Sequence, residues 1–297
     1  MAIQILSDRV AFLPGGANIG ILRGEGGRCV LIDTGLNETS AKKALKAVRE
    51  ELGGEVAAVL TTHGHADHFG GNATVVKRTG AKVHAPAIDE AFLRYPLLQP
   101  ICLFAGASPP ASMRGGFMLA DASPVDVVVD GRSVVIEGIE IGIVRLAGHS
   151  PNQLGYLIDD VFFCADLVLP EPVLEKYKIP YLHSVSDHIA ALTGCTDVAH
   201  RFAVPGHGPM AGRIDALRDL NLALVLDVAD RVREFCAGGS TGEEVLRRLL
   251  GHYGADVRDA PSYYLLHPTA FSFLAHLEGA GVVRHSIENG RSLWTAA

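Results

Sequence analysis

Between Thr61 and Gly71 the chain reads TTHGHADHFGG, which sets His63, His65, Asp67 and His68 within six residues of one another. Three imidazoles and a carboxylate at that density are costly to leave unpaired, because a buried ionisable group must find a partner or neutralise. An apolar run from Val56 to Leu60 feeds straight into the cluster, and Phe69-Gly70-Gly71 leads out of it into a helical stretch. A polar surface loop needs neither flank, so the pattern is that of a metal site. After a strand, His-x-His turns both rings toward one cation, while Asp67 and His68 point toward a second position. Imidazole nitrogen and carboxylate oxygen suit zinc, iron or manganese better than a thiolate-loving metal. Four groups are too few to close two coordination spheres, so the rest of the chain must supply more.

It does so in order. The strand-like segment RCVLI runs into Asp33-Thr34-Gly35; His149 follows an apolar run from Ile139 to Leu146; Asp166 follows Val161 to Cys164; His207 follows Phe202 to Val204, between Gly206 and Gly208. Each sits where an apolar run breaks into Gly, Pro or Ser, hence at a strand end rather than on a core face.

The series Asp33, His63-x-His65-x-Asp67-His68, His149, Asp166 and His207 resembles the five-motif signature of the metallo-β-lactamase-fold hydrolases, over residues 33–207. The resemblance implies a four-layer αββα sandwich, of α/β class, with metals at one edge of two sheets. It also implies that His63, His65 and His149 hold a first metal, that Asp67, His68 and His207 hold a second, and that Asp166 bridges them. Asp33 is expected to support the metal loop. Ala165 stands before Asp166 where glycine is common in the family.

The chemistry follows from the metals. Water held between two cations loses its proton near neutral pH, and one cation polarises the bond to be broken. Asp67 positions that nucleophile or takes its proton. The expected function is a binuclear metal hydrolase, with two zinc ions per chain and manganese or iron as alternatives. Its ligand set resembles that of hydroxyacylglutathione hydrolases and lactonases, which favours a small-molecule thioester, ester or lactone. A phosphodiesterase or endoribonuclease is the second reading, and an iron-dependent redox enzyme such as a persulfide dioxygenase the third. A regulatory or scaffolding protein would be expected to have lost ligands, and none is missing.

Composition agrees. Of 297 residues, 48% are hydrophobic, enough for a large core plus an appendage. The net charge of −7 lacks the basic footprint of nucleic-acid binding. Five scattered cysteines, Cys29, Cys102, Cys164, Cys195 and Cys236, include no CxxC pair and read as buried hydrophobes of a reducing compartment. The opening MAIQILSDRV does not read as a signal peptide, and no run approaches the roughly 20 apolar residues of a membrane span. A cytoplasmic protein is expected.

Residues 1–35 read as strands broken at Gly15-Gly16 and Gly24 to Gly27; Thr39 or Ser40 opens a helix to Leu52; Asn72 to Arg78 is helix and Ala81 to His84 strand, with His84 structural. That βαβ alternation implies a sheet with helices outside. Between residues 88 and 120, Pro96, Pro100, Pro109 and Pro110 forbid a long helix. Segments 92–118 and 170–188 are candidate lids or walls, with Tyr95, Arg114, Glu171, Tyr177, Tyr181, His183 and His188 as possible substrate contacts; His183 and His188 receive no catalytic role.

Residues 1–212 are expected to form the catalytic domain and 213–297 a helical module resembling a winged helix. Leu217, Leu220, Leu224, Val228, Val232 and Phe235 step along one face of a long helix ending at Gly238-Gly239. Thr241 and Glu244 fit a capping box, a further helix covers Tyr264 to Leu277, and Asn289-Gly290 turns a hairpin between Val282–Ile287 and Arg291–Thr295. From Thr241 onward five arginines face six acids and there is no lysine, so phosphate neutralisation is weak. The module is expected to pack, to dimerise or to wall the site rather than bind nucleic acid.

Overall fold

In the computed structural model, which describes residues 2–297, the apolar runs flanking the cluster become neighbouring strands. Met1, the first residue of the expected catalytic domain, lies outside the described residues. Gln4–Ile5 (β1), Val10–Leu13 (β2), Ile19–Arg23 (β3) and Arg28–Ile32 (β4) form an antiparallel meander. Glu55–Leu60 (β5), Lys82–Pro86 (β6) and Val127–Val129 (β7) extend it in parallel. Parallel neighbours require crossovers. Glu38–Leu52 (α1) makes the first, and Ala66–Phe69 (α2) with Asn72–Thr79 (α3) makes the second. Asp89–Arg94 (α4) and Leu98–Leu103 (α5) lie between β6 and β7, kept short by the prolines.

The second sheet holds Ser133–Ile136 (β8), Ile139–Arg145 (β9), Leu154–Ile158 (β10), Val161–Ala165 (β11) and Phe202–Pro205 (β12), in the order β12-β11-β10-β9-β8. Only β11 and β12 are parallel in it, and their crossover contains Glu171–Tyr177 (α6) and Val185–Gly194 (α7). Alternation along the strands sorts side chains into layers. Leu31, Val59 and Val83 turn outward to Ala44 and Val48 of α1. Val30, Leu60, Tyr156 and Phe163 meet between the sheets. Leu146, Phe162 and Cys164 pack outward with Leu192 of α7 and Ile214. The result is the expected αββα sandwich.

The C-terminal part comprises Asp215–Phe235 (α8), Gly242–Tyr253 (α9), Ala260–Gly279 (α10) and the hairpin Val283–Glu288 (β13) with Arg291–Ala296 (β14). The Thr241–Glu244 capping box is formed in both directions. Its apolar core takes in Ile179, Leu182 and Val185 from the β11–β12 crossover, which binds the module to the sandwich. Segment 92–118 reaches the same module: Leu103, Met113 and Met118 cluster with Tyr264 and Leu265 of α10, and the Phe104 and Tyr264 rings lie 4.7 Å apart.

Several local expectations are corrected. Asn37, not Thr39 or Ser40, caps α1, accepting from the N–H groups of both. The last long helix starts at Ala260, capped by Asp259, because Pro261 fits the first turn, where its missing N–H costs nothing. Cys102 is exposed on α5, while the other four cysteines are buried. On α8 the buried face runs through Asn221, Val225, Val228, Ala229 and Val232, leaving Leu220 exposed. Asn221 sets that phase. Its amide oxygen accepts from Leu169 N–H (3.0 Å), and its NH₂ donates to the carbonyls of Leu169 (2.9 Å) and Leu217 (2.8 Å).

Asn221→Ala removes these partners from a buried peptide just past Asp166. It is expected to destabilise the fold by about 1–3 kcal/mol, read as a lower urea midpoint at unchanged m-value; an unchanged midpoint would refute the anchoring role.

Candidate metal centre

The seven expected ligands all converge at one edge of the two sheets. The imidazole atoms His63 Nε2, His65 Nδ1 and His149 Nε2 meet at separations of 3.0 Å and 2.9 Å about His65. Asp166 Oδ2 lies 3.3 Å from both His149 Nε2 and His207 Nε2, and its Oδ1 is 3.5 Å from His68 Nε2. Asp67 Oδ2 is 3.3 Å from His207 Nε2. Ligand atoms fall into three mutually close sets: His63, His65 and His149; His63, His68 and Asp166; Asp67, His68 and His207.

Outward hydrogen bonds fix which nitrogen of four of the rings turns toward the cluster. His149 Nδ1–H donates to the Tyr181 carbonyl (3.1 Å), and His207 Nδ1–H to that of Gly16 (2.5 Å). His68 Nδ1–H donates to Asp33 Oδ2 (2.8 Å). The Thr62 hydroxyl donates to the same carboxylate oxygen, so it accepts from His63 Nδ1–H at 3.0 Å. The Nε2 atoms of these four rings, with Nδ1 of His65, therefore turn toward the cluster. The neutral nitrogens of His63, His65 and His149 crowd on one another and repel, and His68 Nε2 and Asp166 Oδ1 are buried without any hydrogen-bond partner. Divalent cations satisfy this donor set.

Electrostatics divide the cluster. Burial, reinforced by neighbouring imidazoles, pushes His63 well below its usual range and His65 down to about 3; burial also lowers His149. At His68 burial is outweighed by Asp166, Asp67 and Asp33, which hold it up at about 10. His207 is held up at about 12 against burial, chiefly by Asp166 and then Asp67. Burial alone would raise the two carboxylates, yet His207 and His68 hold Asp166 low, and the same two rings hold Asp67 low.

The backbone is shaped to fit. Asp33 sits at φ 61 and Ala165 at φ 47, in the left-handed region that glycine enters at less cost. A Cβ on Gly206 would stand 2.0 Å from Asp166 Oδ1, so only glycine lets the β12 turn pass the carboxylate. Three supporting residues escaped the sequence reading. Buried Asp89, behind Ile88 at φ 70, accepts from Gly64 N–H (2.9 Å) and Asn152 N–H (2.7 Å), tying the His63 loop to the His149 loop. Asn18 donates to the carbonyls of Pro205 and Gly208 on either side of His207. Gln153 accepts from Asp166 N–H at 3.3 Å. Their partners lie far off in sequence, and no spacing signals them.

Beside the cluster opens a cleft of about 620 Å³. Tyr177 and Tyr181 line it, as do Met118 from segment 92–118 and Leu265 from α10. The other proposed contacts stand apart. Tyr95 is 66% exposed, and Arg114 is tied to Pro109 and Ser108. Glu171 and His183 are exposed outside the lining, and His188 is buried behind Gly148.

This fold and this edge define a class. The chain belongs to the metallo-beta-lactamase superfamily, whose family model matches residues 13–220, and it is a metal-dependent hydrolase of that superfamily. Among curated relatives it is 22% identical to an atrochrysone carboxyl ACP thioesterase of Aspergillus fumigatus, over 86% of this chain and 78% of that one. It is 26% identical to a hydroxyacylglutathione hydrolase of Shewanella pealeana, over 39% of this chain and 34% of that one. A solved metallo-beta-lactamase family protein from Thermus thermophilus shares the fold at TM-score 0.73 and 17% identity, covering 97% of this chain and 98% of that one. No helix among the described residues is long and apolar enough to cross a membrane.

Two outcomes follow from the site. Asp33→Asn keeps the shape but puts an NH₂ where hydrogen-bond donors converge; it should weaken metal binding about 10–100-fold, measured by chelator competition, with an unchanged constant as the refuting result. Second, a group whose folded pKa is raised keeps its proton until the pH climbs through that value. His68 and His207 are thus protonated at neutral pH in the metal-free site, and cations must displace those protons. Zinc titration by calorimetry should give heats that vary with buffer ionisation enthalpy, and affinity should rise from pH 6 to pH 8; buffer-independent heats would contradict the proton assignment.

Proposed function

We propose that the protein is a binuclear hydrolase of thioesters, with esters and lactones as chemically related substrates. His63, His65 and His149 form one half-site, Asp67, His68 and His207 the other, and Asp166 the bridge. Bound there, two divalent cations, zinc above all, supply an activated water and polarise the substrate carbonyl. The chain's own groups do the rest. Asp67 Oδ2 lies 3.3 Å from His207 Nε2, and from there Asp67 orients the nucleophile or accepts its proton. Asp33 holds the orientation of His68 directly and of His63 through Thr62. Residues 213–297 act as a winged-helix-like module that closes the cleft over residues 1–212.

The observation that carries this reading is the lining of the cleft. Leu169, Val173, Ile179, Leu265 and Leu266 face it beside the metal-side residues, a surface suited to an apolar acyl group. The thioesterase and hydroxyacylglutathione hydrolase relatives support the same bond type.

Protein reconstituted with zinc, and separately with manganese, should hydrolyse an acyl-glutathione thioester in preference to a bis-aryl phosphodiester. The reverse preference would overturn the substrate assignment. His65→Ala should cut thioester turnover at least 10²-fold with the fold largely kept, a loss on the scale of removing a group that organises transition-state charge; full turnover would refute the metal mechanism.

A further inference from the structure

Resting on the thioesterase reading, we propose that Lys176 and Lys178 make the cleft selective for thioesters whose thiol arm carries a phosphate. Both lysines line the cleft, one at the end of α6 and one just beyond it. Among the described residues, the lysines in ion pairs are Lys42 and Lys46, both on α1; neither Lys176 nor Lys178 has a carboxylate partner. Asp256, the acid that the C-terminal module adds to the lining, is itself paired with Arg258 at 2.6 Å. The cleft therefore presents two uncompensated cations on a chain of net charge −7.

Their placement is built rather than incidental. Lys178 adopts φ 66 and ψ −47. Ile179 N–H donates to the Tyr177 carbonyl at 2.7 Å, which makes Lys178 the centre of a γ-turn of the rare, strained, positive-φ form. Lys178 N–H caps α6 on the Leu174 carbonyl (2.7 Å), and buried Ile179 anchors the other side in the module's core. Glycine would adopt this turn without strain, yet a lysine stands there. Strain held at a cleft points to function when the surroundings over-determine it. Lys176 lies over the Tyr177 ring, its ammonium 4.6 Å from the centroid, and donates to the Tyr177 hydroxyl at 3.2 Å. One aromatic ring thus aligns the Lys176 ammonium, and the strained turn fixes where the Lys178 side chain leaves the backbone at the cleft. With the carbonyl at the metals and the apolar acyl group along Leu265 and Leu266, the polar thiol arm is left for the lysines. Phosphate is the anion such an arm carries in coenzyme A and in phosphopantetheinylated carrier proteins.

The test compares octanoyl thioesters of coenzyme A, of a carrier protein and of N-acetylcysteamine, the last being neutral, on zinc-loaded protein. At least one phosphorylated thioester is expected to exceed the neutral one about tenfold in kcat/KM, through KM, as for one charge-assisted contact; which of the two it is identifies the source. The advantage should shrink with added salt. In Lys176→Gln/Lys178→Gly the advantage should collapse to about twofold or less, while Tm does not fall, since the γ-turn then carries glycine. Equal KM for neutral and phosphorylated thioesters in the parent protein, or an advantage that survives the double substitution, overturns the proposal. Hydrolysis of none of the three overturns the thioesterase reading and this proposal with it.

Discussion

One buried carboxylate holds the metal edge together. Asp33 leaves β4 at φ 61 and accepts three hydrogen bonds: Thr62 N–H (2.8 Å), the Thr62 hydroxyl (2.8 Å) and His68 Nδ1–H (2.8 Å). A left-handed aspartate is costly, and a carboxylate in an apolar layer more so. The three donors offset both, but they exist only if β5 lies parallel to β4 and the Thr61–Gly71 loop folds back over it. Further bonds lock that loop: Thr34 N–H donates to the His68 carbonyl, and Asn72 sits within 2.7 Å of the Thr34 hydroxyl. Sheet order, loop path and ring orientation are thus one constraint. Gly70 belongs to it, since a Cβ there would meet the Leu36 carbonyl at 2.0 Å.

The two halves of the cluster meet different demands. His63, His65 and His149 are pushed toward the neutral, lone-pair form chiefly by burial, with neighbouring imidazoles adding to it. His68 and His207 face Asp67 and Asp166, which hold them cationic unless another positive charge takes over. One half is therefore held neutral, while the other is held protonated. Asp166 belongs to both, which explains why its surroundings are the most constrained: Ala165 at positive φ, Gly206 with no room for a Cβ, and Gln153 on its N–H.

Much of this was legible in the sequence because it rests on local pattern. Strand ends announce themselves where apolar runs break, and β4, β5, β11 and β12 fall where Arg28, Val56, Val161 and Phe202 begin such runs, within a residue. The metal-edge residues sit just past them. What stayed hidden depends on distant partners. Asn221 decides the buried face of α8 through Leu169, so Leu220, apolar and in phase with its neighbours, is left in solvent. Asp89 looks like an ordinary first-turn helix acid until Gly64 and Asn152 arrive from two other loops. Cys102 shows the reverse error, because residue type alone suggested burial that the short α5 does not provide.

The metal edge and the cleft beside it are held in place by different parts of the chain. The metal-side residues stand on strand ends, where backbone ladders fix them. The cleft walls come from segments without periodicity, the β6–β7 excursion and the β11–β12 crossover, and these have no sheet to hold them. They are held by the C-terminal helices: Leu103, Met113 and Met118 against α10, and Ile179, Leu182 and Val185 in the core shared with α8 and α9. Without the module, Ile179 would lose its apolar socket and nothing would maintain the strained turn at Lys178. The metal edge is therefore set within the sandwich, whereas the shape of the cleft depends on the C-terminal helices.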